Sequence, residues 1–186
     1  MSEWWEDLDG LLEAAWAYFE AGAQDPGAPA RFLAFATAGQ TGGAEARMVV
    51  LRGADRVRAE LTVHTDTLSA KVAELRADPR ASLLMWDPGA KLQVRAKAEV
   101  GIDTGAVVSP DWDRIPHRAR RVYGNDPEPG GVMHGPMALT VSPDPARFAV
   151  MTCRVMEIDV LHLGREVHHR ALFRRRSGWA GKWIAP

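Results

Sequence analysis

The sequence predicts a mainly β fold: a closed or nearly closed small barrel of antiparallel strands, with an N-terminal helix and one or two further helices. Three observations predict it. Short apolar runs recur along most of the chain, and turn residues such as Thr41-Gly42-Gly43, Gly53-Ala54-Asp55 and Asp87-Pro88-Gly89 separate them. The run with the clearest period, Lys91–Val100, alternates Leu92, Val94, Ala96, Ala98 and Val100 with Gln93, Arg95, Lys97 and Glu99, so one face is buried and the other polar.

From Trp4 to Ala21 the apolar residues Trp5, Leu8, Leu12, Ala15, Trp16 and Phe19 recur at three- and four-residue steps, which predicts an amphipathic helix ending near Gly22. Ala23–Ala30, rich in proline and glycine, reads as a connector. Strands are expected at Arg31–Ala38, Ala46–Arg52, Glu60–Thr65, Arg80–Trp86 and Lys91–Val100. One helix interrupts them, Leu68–Ala77, with Val72 and Leu75 on one side and a stop before Asp78-Pro79. A second helical stretch is expected at Ser109–Tyr123, capped by Ser109 with Pro110 at the first position, and Pro116 breaks or restarts it. Gly124–Pro145 is a long Pro/Gly-rich segment, and loops of that length are usually functional or mobile. Strand patterns return at Arg147–Leu161, His168–Arg174 and Trp179–Ile184.

The 186 residues carry 23 Lys+Arg against 24 Asp+Glu, and 46% are hydrophobic, which suits one domain spanning 1–186 with a real core. A formal charge of −1 argues against nonspecific nucleic-acid or membrane-surface binding, so any anion site must come from a few placed cations. The single cysteine, Cys153, cannot form an internal disulfide, and Met1–Asp9 lacks the basic region and apolar run of a signal peptide. No apolar stretch approaches the roughly 18 residues needed to span a bilayer. A cytoplasmic location follows as the expectation.

The informative feature is a spacing. Arg47-Met48-Val49-Val50-Leu51-Arg52 is a strand bounded by cations, a second strand ends in His64-Thr65, and the next helix opens with Ser69-Ala70-Lys71. A helix N-terminus offers unpaired N–H groups to a phosphate, and Lys71 and Arg47 would add charge-assisted bonds. From spacing alone, both cations read at least as well as solvated surface residues. The six histidines show no ligand spacing, and His168 and His169 on a strand point to opposite faces, so no metal site is expected. Cys153 lies in an apolar strand and reads as a core residue rather than a nucleophile. Arg174-Arg175-Arg176 reads as a solvated hairpin turn. Of the seven tryptophans, most read as core or interface packing, with Trp5 and Trp16 on the buried face of the first helix, and Trp112 is the one best placed to meet a ligand.

Taken together, the segments Arg47–Gly53, His64-Thr65, Ser69-Ala70-Lys71, Asp78-Pro79-Arg80-Ala81-Ser82-Leu83-Leu84 and Leu92-Gln93-Val94-Arg95 resemble, in order and gap, the pyridoxamine 5′-phosphate oxidase family of flavin-mononucleotide (FMN) split barrels. The ending Trp179–Pro186 is similar to that family's closing tryptophan and Leu-Ala-Pro tail. The resemblance implies a split β-barrel and FMN held at the interface of a homodimer, with contacts from each subunit. It implies that Arg47 and Lys71, with Ser69, hold the phosphate, that Met48, Val49, Val50, Leu51, Arg52, His64 and Thr65 line the cofactor, that Gln93 faces the flavin ring, and that Arg170 is a late FMN-contacting arginine. His168 carries over as a substrate residue.

The chain also departs from the family pattern. Ala70 stands where the family has an arginine before the phosphate lysine, His64 where it has an aromatic residue before the threonine, and Leu161 where it has a tryptophan. The Arg-Leu-His substrate triplet has no clean counterpart. The expected activity is hydride transfer between a small substrate and FMN, with oxygen or a nicotinamide as the other partner, since flavin brings the redox chemistry and the protein binds and orients it. The alternative is a non-enzymatic protein that stores or senses flavin, haem or another cofactor on the same barrel.

Overall fold

A computed structural model describes residues 3–186; Met1 and Ser2 of the acidic start lie outside the described residues. Eight antiparallel strands run β1 (Phe32–Ala38), β2 (Ala44–Asp55), β3 (Glu60–Asp66), β4 (Arg80–Asp87), β5 (Leu92–Thr104), β6 (Phe148–Leu163), β7 (His168–Arg174) and β8 (Gly181–Trp183). Their order is β3-β2-β1-β4-β5-β6-β7-β8, and a further β3–β6 pairing closes the first six into a barrel. β6 makes the split. Its leading half pairs with β3 from Asp66↔Phe148 to Glu60↔Arg154, and its trailing half pairs with β7 from Glu157↔Arg174 to Leu163↔His168. Val155, between the two, accepts no β3 partner and donates instead to the Ala59 carbonyl at 2.8 Å.

The mainly β expectation holds, and alternation places the core. Leu33, Phe35, Leu51, Leu61, Val63, Leu83, Met85, Leu92, Val94, Ile158 and Val160 point inward and are buried. Cys153 is fully buried among them, and desolvation pushes its thiol up to about 12, as a core cysteine requires. Several strands run longer than their apolar runs, because polar residues at their ends still find ladder partners.

The first helix differs from its expectation at both ends. Trp4–Glu6 forms a separate 3₁₀ turn, Asp7 caps the following helix by accepting from the Gly10 N–H at 2.9 Å, and α1 runs Leu8–Gln24. α1 passes through Gly22 rather than ending there, because Gly22 is the contact with the Ala30 backbone: a Cβ would lie 2.5 Å from the Ala30 carbonyl carbon. Its buried face, Leu11, Ala15, Trp16 and Phe19, packs into the barrel core. Trp5, expected on that face, stands half-buried in the 3₁₀ turn instead.

The second helix is α2 (Ala70–Ala77), two residues shorter than expected at its start, where Ser69 is the N-cap position. The stretch from Ser109 breaks at Pro116 into α3 (Ser109–Arg114) and α4 (His117–Arg120), and Ser109 is inside α3 rather than its cap. These helices cover a second cluster of Val108, Trp112, Tyr123, Phe148 and Val150. Residues 124–145 are largely exposed, but their ends are tied: Gly124 donates to Asp66 Oδ2 at 3.0 Å, and Asp126 and Thr140 exchange two backbone bonds.

Candidate functional site

The first cluster forms where the inward faces of β1, β2 and β3 meet the start of α2. Arg47 follows the inward positions Leu51 and Val49 outward along β2, so its guanidinium emerges at the rim of the core. Nη2 donates to Glu74 Oε2 at 2.8 Å, and Nη1 donates to the Thr37 hydroxyl, which itself donates to the same carboxylate oxygen. Lys71 Nζ donates to Thr65 Oγ1 at 3.1 Å, and that oxygen lies 3.0 Å from Ser69 Oγ. Ser69 Oγ also donates to the Asp66 carbonyl at 2.8 Å, so it organises the turn instead of capping α2. The Asp66 carboxylate is itself spoken for, accepting from Leu68 N, Gly124 N and both Nε and Nη2 of Arg147.

The electrostatics of this corner favour an anion. Burial lowers the Lys71 pKa, and repulsion from Arg47 lowers it further, against opposing pulls from Glu74 and Asp66. Two cations are thus near enough to repel each other on partly desolvated side chains, with the Thr65 and Ser69 hydroxyls beside Lys71 and an uncapped helix start next to them. This donor set fits a phosphate monoester. Glu74 is the one group that opposes it. It is buried and neutralises Arg47, so an incoming dianion meets less net positive charge than the two cations alone would present.

A second group lies on the outer face of the barrel. Met48, Val50 and Arg52 alternate outward from β2, and Met48 is 62% exposed, while Val49 and Leu51 belong to the core. Arg52 sits in a bulge, since the β2–β3 register shifts between Leu51↔Val63 and Gly53↔Thr62. The bulge turns Arg52 toward a cavity of about 430 Å³ between β2, β3 and α3, which His64, Arg114 and Tyr123 also line. Desolvation, helped by Arg52, lowers the His64 pKa to about 4, so its imidazole is neutral at neutral pH. Burial raises the Tyr123 phenol.

The third group is on the outer face of β4–β7. Gln93 pairs with Trp86 and Leu161, and Leu161 pairs with Arg170, so the four form one cross-strand row. His168 lies two residues before Arg170 on the same face and is exposed. Asp159, buried, fixes Arg170 by accepting from its Nε at 3.0 Å and Nη2 at 2.9 Å, and it accepts from Arg95 as well. Despite its desolvation, the hydrogen bonds and charges of Arg170 and Arg95 keep the Asp159 pKa below the usual value.

Within one chain, then, Arg47, Thr65, Ser69 and Lys71 come together, Arg52 and His64 come together, and Gln93, Arg170 and His168 share a face on other strands. Trp112 is buried against Phe148 and against Tyr123, which lines the Arg52–His64 cavity, with Arg120 stacked 5.1 Å from its ring centroid. Thr37, Glu74, Arg114, Tyr123 and Asp159 belong to these clusters without having been singled out in the sequence. Thr37 and Glu74 carried a usable signal, since Thr37 continues the inward series Leu33, Phe35, and Glu74 lies one helical turn from Lys71.

Comparisons with known proteins identify the fold. Residues 13–103 match the family model for the FMN-binding domain of pyridoxamine 5′-phosphate oxidase. A solved pyridoxamine 5′-phosphate oxidase-related, FMN-binding protein from Nostoc punctiforme is similar over 93% of this chain and 96% of its own, with 25% identity and a TM-score of 0.75. PhzG from Burkholderia lata, solved with tetrahydrophenazine-1-carboxylic acid, shares the fold over 100% of this chain and 98% of its own at 16% identity and a TM-score of 0.73. A protein related to general stress protein 26 from Clostridium acetobutylicum shares it over 92% and 98%, at 10% identity and a TM-score of 0.60. No curated protein matches the chain significantly. The fold is that of the FMN-binding split barrels, and the resemblance to the pyridoxamine 5′-phosphate oxidase-like family is borne out.

Proposed function

We propose that the chain is a homodimeric FMN-binding flavoprotein that transfers hydride between a small substrate and FMN. The observation that carries this reading is the approach of Arg47 to Lys71, which itself holds the Thr65 hydroxyl beside Ser69, on segments that match an FMN-binding domain. Arg47 and Lys71 hold the phosphate by charge, Thr65 and Ser69 by hydrogen bonds, and the start of α2 by its free N–H groups. Bound FMN supplies the redox chemistry, and the protein orients it and admits the substrate.

A second copy completes the site. Gln93 and Arg170 belong to an outer face that also exposes Trp86 and Leu84, and exposed apolar area of that kind supports pairing between copies. Pairing brings this row opposite the phosphate corner of the partner. The cavity lined by Arg52, His64, Arg114 and Tyr123 is the substrate pocket in this reading, and Arg52 suits a substrate bearing negative charge, since Arg114 is paired with Asp111 in the same lining. The whole chain serves as one FMN-binding domain, working in the cytoplasm, where a lone buried Cys153 stays reduced.

The test is the visible spectrum of the purified protein and of protein supplied with FMN, followed by anaerobic addition of a reduced nicotinamide. Bound flavin absorbance that bleaches on reduction and returns with an oxidant supports an oxidoreductase. A protein that neither carries nor takes up FMN refutes the reading.

A further inference from the structure

Where β3 ends, a single residue builds the turn that carries the phosphate donors. The β3–β6 ladder stops at the pair Asp66↔Phe148, and the Thr67 N–H still reaches the Arg147 carbonyl at 2.8 Å. Beyond that point the backbone has no strand partner, and Asp66 takes its place. Asp66 Oδ1 accepts from the Leu68 N–H at 2.8 Å, and the Asp66 carbonyl accepts from the Ser69 N–H at 3.1 Å and from Ser69 Oγ at 2.8 Å. Ser69 Oγ is thereby held 3.0 Å from Thr65 Oγ1, the atom that accepts from Lys71 Nζ at 3.1 Å.

The same carboxylate is anchored from behind. Arg147 donates to Oδ1 from Nε at 3.0 Å and from Nη2 at 2.9 Å, and the Gly124 N–H donates to Oδ2 at 3.0 Å. Asp66 is buried, so these bonds are shielded from water and leave its carboxylate no freedom to turn. Gly124 can play its part only as glycine: its φ is +93°, and a Cβ would lie 2.4 Å from the Ser142 carbonyl oxygen.

We propose that Asp66 is a positioning residue: held by Arg147 and Gly124, it fixes the turn that aims Thr65, Ser69 and Lys71 at the cofactor phosphate, an inference that rests on the FMN reading above. Charge does not account for it. A carboxylate that acts on Lys71 through space also repels an incoming phosphate, so what Asp66 contributes to an anion site is geometry.

The test separates geometry from charge by measuring FMN and riboflavin affinities, through flavin fluorescence, for native protein, Asp66→Asn and Arg147→Lys. Whichever way the Asn amide turns, its NH2 faces either the Gly124 N–H or the Arg147 guanidinium, so the anchor is lost while a negative charge near the phosphate is removed. Charge alone predicts tighter FMN binding by Asp66→Asn. Positioning predicts FMN binding about tenfold weaker, the scale of one lost hydrogen bond to a charged group, with riboflavin affinity kept. Arg147→Lys retains the cation, loses the two-point grip, and should act in the same direction. The proposal is overturned if Asp66→Asn binds FMN as tightly as native protein or more tightly, or if FMN and riboflavin weaken equally, the mark of a merely structural residue. If Asp66→Asn fails to fold, Arg147→Lys decides by the same criteria. Native protein that does not prefer FMN to riboflavin would refute the phosphate reading and this proposal with it, whereas a native preference that the variants retain overturns the role of Asp66 alone.

Discussion

Arg47 and Glu74 form an ion pair, 2.8 Å from Nη2 to Oε2, at the point where two cations would otherwise be free for a phosphate. Glu74 therefore supports this corner and competes with an anion for Arg47. Glu74→Gln should lower stability without ligand by about 1–3 kcal/mol, because Arg47 loses its charged partner. The same change should tighten FMN binding by about 1 kcal/mol, the scale of one removed like charge near a surface. Urea melts and a fluorescence titration read the two effects, and their opposite signs identify the competition. Weaker FMN binding by Glu74→Gln would instead make Glu74 the residue that aims Arg47.

His64 predicts a pH dependence. Its folded pKa of about 4 lies below the 6.5 of an unperturbed histidine, so the unfolded chain binds more protons between those values. The contribution is fully present above pH 6.5 and is lost as pH falls toward 4, on the order of 1–3 kcal/mol. His64→Gln should flatten stability over that window in pH-dependent denaturation. An unchanged slope would mean that the imidazole is solvated and not desolvated against Arg52.

Tyr18 joins α1 to the end of β4 by donating to Asp87 Oδ2 at 2.6 Å, and desolvation with that bond raises its pKa to about 12. A raised folded pKa gives stability that is complete below pH 10 and is lost as pH rises toward 12. Tyr18→Phe should cost about 1–2 kcal/mol at neutral pH by chemical denaturation. No loss would mean that the bond contributes nothing net to docking α1.

Gly22→Ala tests how α1 sits. Alanine is ordinarily the better helix residue by about 1 kcal/mol. Here its Cβ would meet Ala30 backbone atoms at 2.5 and 2.6 Å, and backbone cannot rotate away. Net destabilisation of about 1–3 kcal/mol is expected in a thermal or urea melt, and a stabilised variant would show that α1 is not pressed against Ala30.

That glycine also shows where local sequence stops being informative. Gly22 reads as a helix stop because glycine usually marks one, and only the approach of Ala30 reveals it as a contact. Lys91–Val100 is legible because the strand has one wet and one dry face, so its alternation is written in residue types. The break at Pro116 is legible for a different reason, since proline acts on its own backbone. The Trp4–Glu6 turn merges with α1 in the apolar period, although Asp7, the residue that separates them, is a favoured cap. In the candidate site, Arg47 and Lys71 stand out by spacing, whereas Glu74 gains its meaning only when β1, β2 and α2 meet. Arg52 and Val50 look equivalent along the strand, and the bulge that turns Arg52 into a cavity has no local signature. Trp112 is read from its place beside a long loop, and its packing of α3 on Phe148 has no local signature.

The most direct measurement compares FMN with riboflavin, which lacks only the phosphate, by flavin fluorescence titration of the native protein, Arg47→Ala and Lys71→Ala. Native protein should bind FMN, and prefer it to riboflavin, by several kcal/mol in total. Each substitution should remove about 1–3 kcal/mol of that preference while changing riboflavin affinity little. Equal binding of FMN and riboflavin by native protein, or a preference that survives both substitutions, would contradict a phosphate held by Arg47 and Lys71.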